Sequence, residues 1–223
     1  MFSAAKFHAM YRIGNATIRP YPFPHVCVED LFPADFYAEI QRHMPPDRAY
    51  NRLVDTGRVS KNYSPARLTL FPDDLDAAPL SETDRNFWRR LFETFNDREF
   101  AELWLRLFGH AIRAHLVEVQ SEAGQPDRQP MGSEILLMRD LETYALGPHT
   151  DSPAKVVSVL FYLPPDDASP SLGTSFYLPK NRGFSCLGGP HHSFAEFDRV
   201  ATMTYRANSL VAFPKTRQIG RAH

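Results

Sequence analysis

Helix-patterned and strand-patterned segments are segregated along this chain, and that order restricts the architectures open to it. Helical spacing comes first. LFPADFYAEIQRHM carries Phe36, Tyr37 and Ile40 on one face, with Pro33 near its first turn and Pro45-Pro46 as its stop. SETDRNFWRRLFETFND places Phe87, Trp88, Leu91, Phe92 and Phe95 on a single stripe, and DREFAELWLRLFGHAIRAHL repeats the pattern with Phe100, Leu103, Trp104, Leu107 and Phe108. Such aromatic stripes read as core. Short strand-like runs dominate later: EILLM (134–138), KVVSVLFYL (155–163), TSFYL (174–178), FDRVATMTY (197–205) and NSLVAF (208–213), after one early piece at His25–Val28. The run 155–163 is apolar almost throughout, which predicts burial on both faces. Residues 50–80, punctuated by Pro65, Pro72 and Pro79, read as loop, as does 121–133. Helices followed by strands argue an α+β fold with helices buttressing a mostly antiparallel sheet, and strands joined by turns and Gly-rich loops suit a jelly roll or barrel.

The totals set outer limits. A chain of 223 residues holds one domain with a real core, or two small ones at most. A formal net charge of -1 gives no reason to expect nucleic acid or anionic lipid as partner. The two cysteines, Cys27 and Cys186, form no CxxC pair and read as free thiols in a reducing compartment. The opening MFSAAKFHAMYRIG lacks the apolar stretch of a secretory signal, and no run approaches the ~18 apolar residues of a membrane span. The expected location is the cytoplasm, with no membrane partner.

One polar segment stands out against this background. In YALGPHTDSPAKVVSVLFYLP, His149 and Asp151 lie two residues apart at the start of a strand-like run. In extended chain, residues i and i+2 face the same side, so an imidazole nitrogen and a carboxylate oxygen can address one point. That is two-thirds of the 2-His-1-carboxylate face that holds non-haem Fe(II). With 9 His in 223 residues, however, chance alone supplies about one HxD. The surrounding text has to carry the argument.

It does so through an ordered set of segments. Tyr144 and Gly147 precede His149-Thr150-Asp151; Lys155 and a strand into FYLP follow; then come GTSFYLP (173–179) and YRANSLVAFPKT (205–216). With the entry segment YPFPHVCVEDLFPADFYAEI, the chain from about residue 20 to 216 resembles the Fe(II)/2-oxoglutarate-dependent dioxygenases, in particular the prolyl 4-hydroxylase-like and bacterial members. The resemblance implies a double-stranded β-helix core (jelly roll, cupin-like) with N-terminal buttressing helices. It implies Fe(II), 2-oxoglutarate and O2 as cofactors and co-substrate, oxidation of a substrate C–H bond, and release of succinate and CO2. By position, His149 and Asp151 match the first two metal ligands and the catalytic centre. Tyr144, a phenol able to donate to a carboxylate, and Lys155, a cation, are the expected 2-oxoglutarate contacts; a half-buried aromatic and a solvent-facing strand residue are their structural alternatives. Substrate class stays open among small metabolites, sugars, lipids and protein side chains.

The family's third ligand, a histidine after the NSLVAF-like strand, and its basic residue for the distal carboxylate have no counterpart in FPKTRQIGRAH. His223, at the chain end, is a poor ligand candidate. IGRAH back-translates as ATC GGA AGA GCA CAC, a string within the sequencing adapter AGATCGGAAGAGCACAC, and Gln218 as CAG supplies the leading AG. The expectation is therefore one oxygenase domain over 1–218, C-terminally incomplete, with 219–223 a non-native tail, and weak Fe(II) binding and little turnover by the chain as written. The rival expectation is a cupin-like or non-catalytic jelly-roll binding protein. His191 and His192 in GGPHHSF offer a replacement for the missing ligand, but they read first as a solvated loop near the active-site rim, because the family ligand falls after NSLVAF. His110 and His115 read as packing or surface residues. Arg139, Arg206, Lys215 and Arg217 are weaker candidates for charged contacts.

Overall fold

The computed structural model describes residues 1–59, 63–123, 132–142, 146–189, 191–216 and 220–222. In chain order its regular elements are α1 (Phe2–Gly14), β1 (Val26–Val28), α2 (Ala34–Arg42), β2 (Asn51–Arg52), β3 (Arg67–Leu70), α3 (Glu82–Phe95), α4 (Arg98–Ala123), β4 (Leu137–Asp140), β5 (Val157–Tyr162), β6 (Ser175–Pro179), β7 (Phe197–Thr202), β8 (Ser209–Pro214) and β9 (Gly220–Ala222). The α+β expectation holds. The strands form three antiparallel sheets of three strands each, and no barrel closes among the described residues. No described helix is long and apolar enough to cross a membrane.

The described chain falls into two compact units. The first comprises Met1–Phe7, Pro33–Ala101 and Gly132–Tyr144. Its core is aromatic, as the helical stripes predicted. On α3, Phe87, Trp88, Leu91, Phe92 and Phe95 are all buried. The Ser81 hydroxyl caps this helix by accepting from the Asp84 N–H at 3.1 Å. Phe2 meets Phe36 edge-on at 5.4 Å and Phe87 at 5.3 Å, a geometry that favours the ring quadrupoles. The Trp88 indole N–H, wholly buried, donates to the His43 carbonyl at 2.6 Å. Residues 50–80, read as loop, instead hold β2 and β3, which extend into a sheet of order β2-β3-β4. All four residues of β3 are buried, including Arg67 and Thr69. Polar residues in a short run hid this strand. The strand expected at 134–138 begins only at Leu137.

The second unit comprises His8–Phe32, Glu102–Met131 and Ala145–His223. One sheet has the order β1-β8-β5, with Val26 opposite Ala212 and Val157 opposite Pro214. The central strand β8 is buried at all six positions, whereas β5 is buried only at Tyr162. Burial on both faces thus belongs to β8 and not to the more apolar β5, which lies at this sheet's edge. The second sheet has the order β7-β6-β9. Phe23, Tyr162, Phe176, Met203, Val211 and Phe213 form the core of this unit, each large side chain contributing about 1.5–3 kcal/mol by leaving water. Cys27 and Cys186 are free thiols.

Candidate functional site

The register of β5 on β8 creates the site. Past the Val157–Pro214 pair, the Lys215 N–H continues the ladder by donating to the Val156 carbonyl at 2.9 Å. A turn closed by the Lys155 N–H on the Ser152 carbonyl at 3.0 Å then sends the preceding residues back toward the end of β8. Thr150 meets it there. Its hydroxyl donates to the Thr216 carbonyl and accepts from the Lys215 ammonium, both at 2.8 Å. His149, Thr150, Asp151, Lys215, Thr216 and Phe23 line one small cavity of about 20 Å³, room for about one water-sized species.

His149 is buried and its tautomer is fixed. Nδ1 lies 2.9 Å from the Gly147 carbonyl oxygen. A carbonyl can only accept, so Nδ1 carries a hydrogen, and in the neutral ring Nε2 carries the lone pair. Metal-binding imidazoles are oriented by this kind of outer hydrogen bond. Asp151 sits two residues on, its side chain 10% exposed. One carboxylate oxygen accepts from the Ser158 hydroxyl and the other lies 3.6 Å from the Lys155 ammonium. Lys155 is thereby placed beside the acid, with about half of its side chain in solvent.

Lys215 is the buried cation of the site, although the sequence ranked it below Lys155. Its ammonium donates to the Thr150 hydroxyl, to the Asp151 carbonyl, and to the Leu187 carbonyl at 2.7 Å. These acceptors match its three donors, so it acts as a clamp joining three segments. Its position directly after an apolar strand, in FPKT, is the signal that could have marked it.

Residues 187–189 and 191–192 lie against 147–151. The Gly189 N–H donates to the Thr150 carbonyl at 3.3 Å and the His192 N–H to the Pro148 carbonyl at 2.9 Å. The contact is too close for side chains. A Cβ on Gly147 would sit 2.5 Å from the His192 oxygen, and one on Gly188, at φ +130, would sit 2.0 Å from the Asp151 oxygen. This packing brings the His191 ring to 4.6 Å from the His149 ring, centroid to centroid. Sequence reasoning assigned His191 to a solvated rim; it is exposed there, and the structure adds that its ring neighbours the central histidine. The paired glycines ahead of it were the available signal, since both have positive φ and Gly188 permits the close approach.

The remaining candidates fall elsewhere. Tyr144, Arg217 and His223 lie outside the described residues. His115 is buried with Nε2 at 3.1 Å from the Pro153 carbonyl. Arg206 pairs with Glu29 at 2.9 Å, and Arg139 with Asp47 at 2.8 Å.

Against a ferrous ion the donor set fits in part. His149 presents a lone-pair nitrogen and Asp151 an oxygen two residues away, but among the described residues no three His, Cys, Asp or Glu side chains gather as a metal-binding group. In comparisons with known proteins, no protein-family model matches the sequence and no curated protein matches it.

Proposed function

We propose that this chain is an Fe(II)- and 2-oxoglutarate-dependent oxygenase of the cytoplasm, built on a double-stranded β-helix core that includes the β1-β8-β5 sheet. The observation that carries the reading is the convergence of His149, Asp151 and the segment after β8 on one cavity, with the His149 ring held through Nδ1 by the Gly147 carbonyl. This is the arrangement that the ordered sequence segments call for, in which the HxD turn faces the chain leaving the strand NSLVAF.

Within this reading His149 Nε2 and one Asp151 oxygen hold the ferrous ion. The bound ion with 2-oxoglutarate supplies the activation of O2 that a side chain cannot provide. The protein's own part is geometric. The Gly147 carbonyl holds the imidazole by Nδ1, Ser158 and Lys155 orient the carboxylate, and Lys215 holds the Thr150 hydroxyl and the Asp151 carbonyl. Phe23 and Phe213 border the cavity with apolar surface that limits water. Lys155, at the exposed side of Asp151, is the cation available to an entering oxoacid.

The test uses Mn(II), a paramagnetic divalent ion, as the probe. Line broadening should centre on residues 147–151, sharpen in its dose dependence when 2-oxoglutarate is present, and vanish in Asp151→Ala. Broadening elsewhere, or indifference to both 2-oxoglutarate and Asp151, overturns the assignment.

A second reading has one observation in its favour. The Asp151 carboxylate already accepts from Ser158 and faces Lys155, as an acid that locks a turn would. In a non-catalytic or cupin-like jelly-roll binding protein that lock is its whole purpose, and Asp151→Ala then lowers stability while leaving ion binding untouched.

A further inference from the structure

We infer that His149 and His191 together form a two-imidazole site for a borderline divalent ion of the Zn²⁺ or Cu²⁺ class. The inference shares His149 with the oxygenase reading and rests on that reading only to that extent. It adds a second nitrogen ligand from the chain upstream of β8.

The ring geometry is the first support. A metal–nitrogen bond of about 2.0–2.1 Å, plus the ~1.1 Å from nitrogen to ring centre, puts each centroid about 3.2 Å from the ion. Two imidazoles held at the angles of square-planar or tetrahedral coordination then have centroids roughly 4.5–5.2 Å apart. His149 and His191 are 4.6 Å apart with their planes at 44°. That angle is far from flush stacking, so the contact is not simply one ring laid flat on the other.

Preorganisation is the second support. His149 is buried with its Nδ1 committed to the Gly147 carbonyl, which directs the Nε2 lone pair outward from that bond. His191 is held through its neighbours. Gly189 and His192 each donate a main-chain hydrogen bond to the 148–150 segment, and the missing side chains of Gly147 and Gly188 let the two segments close to contact. The main chain that carries the pair is therefore set in advance, which lowers the conformational entropy lost when an ion arrives.

Access and ion preference follow. His191 is exposed while His149 is buried, so an ion reaches the inner nitrogen past the outer one. Neutral imidazoles favour Cu²⁺, Ni²⁺ and Zn²⁺ over Mg²⁺, Ca²⁺ or Mn²⁺. The latter ions prefer the oxygen that Asp151 offers. With no third His, Cys, Asp or Glu gathered at the site among the described residues, water completes the coordination sphere.

The experiment is a Zn²⁺ titration by calorimetry together with Cu²⁺ electron paramagnetic resonance, whose nitrogen splitting counts imidazole ligands. Wild type should show two nitrogens. His191→Ala and His149→Gln should each leave one nitrogen and weaken Zn²⁺ binding at least about tenfold, while His192→Ala keeps both. Circular dichroism confirms folding of each variant, and His191→Ala, at an exposed position, is the variant least able to disturb it. If His191→Ala binds as wild type does while His149→Gln and Asp151→Ala lose the ion, the second imidazole is refuted and the oxygenase reading stands. If both histidines matter and Asp151 does not, the imidazole pair stands for these ions, and the oxygenase reading is decided separately by the Mn(II) response of Asp151→Ala. Absence of Zn²⁺ binding by the wild type overturns the pair outright.

Discussion

The Lys215 ammonium donates to the main-chain oxygen of Leu187 at 2.7 Å, and through that bond a strand end holds a loop that the sequence presents as unanchored. Replacing Lys215 with Met keeps the length and removes the donors. Two carbonyls and the Thr150 hydroxyl are then left buried without this partner. The expected cost is about 2–4 kcal/mol of unfolding free energy, since unsatisfied buried acceptors outweigh the relief of not burying a charge. Urea denaturation measures it. Lys215→Arg should not restore the loss, because a planar fork cannot address three oxygens converging on one point. A Met variant as stable as wild type would mean the clamp contributes nothing.

Gly188→Ala tests the loop's close approach. The added carbon would stand 2.0 Å from the Asp151 oxygen at a φ of +130. Backbone must move, so the expected loss is about 2–4 kcal/mol, together with faster amide exchange at residues 147–151. Gly57→Ala is the comparison. It also has positive φ, at +73, but open space around it, so it should cost only about 1 kcal/mol.

His25 makes the second unit sensitive to pH. Burial holds its pKa below the ordinary 6.5, the Phe23 carbonyl accepting from Nδ1 raises it in part, and Arg19 lowers it. A folded pKa below the unfolded one means the unfolded chain takes up the proton first. The stabilising difference is complete above about pH 6.5 and declines as pH falls from there toward the folded value, with a slope of at most ~1.4 kcal/mol per pH unit for one proton. Denaturant midpoints measured from neutral to mildly acid pH should fall less steeply for His25→Phe than for wild type. Equal slopes would remove His25 from the account.

The tautomer of His149 is directly observable. Long-range ¹H–¹⁵N spectra at a pH where the ring is neutral should show Nδ1 as the protonated nitrogen and Nε2 as the bare one, because Nδ1 faces a carbonyl that can only accept. The reverse assignment would turn the lone pair toward Gly147 and away from any ion shared with Asp151 or His191.

Much of the architecture was legible because aromatic periodicity is a strong signal. Phe87, Trp88, Leu91, Phe92 and Phe95 announced α3, and NSLVAF announced β8. What stayed hidden had weak or mixed patterning. In β3, Arg67 and Thr69 alternate with Leu68 and Leu70, but the run is only four residues long between Pro65 and Pro72, and all four are buried, so the alternation was a weak signal. In α1, Ala5, Ala9 and Ile13 are the buried face, and two alanines give little amplitude to a helical pattern. At the site, local text placed His149 and Asp151 together, because two residues of extended chain determine their spacing. It named His191 and Lys215 but did not bring them to this pair, because their positions depend on non-local hydrogen bonds to Pro148, Thr150 and Asp151. Spacing within a segment reports only on that segment.

Strand β8 lies between β1 and β5, pairing residue 26 with residue 212. A ribosome making this chain from its N-terminus therefore emits both flanking strands long before the strand that separates them. Until β8 emerges, Val26–Val28 and Val157–Tyr162 present open hydrogen-bonding edges to one another and to any other nascent protein. The second unit is thus a late folder by topology. Its yield in a cell will depend on holdase chaperones and on the pace of translation as much as on the stability of the finished sheet.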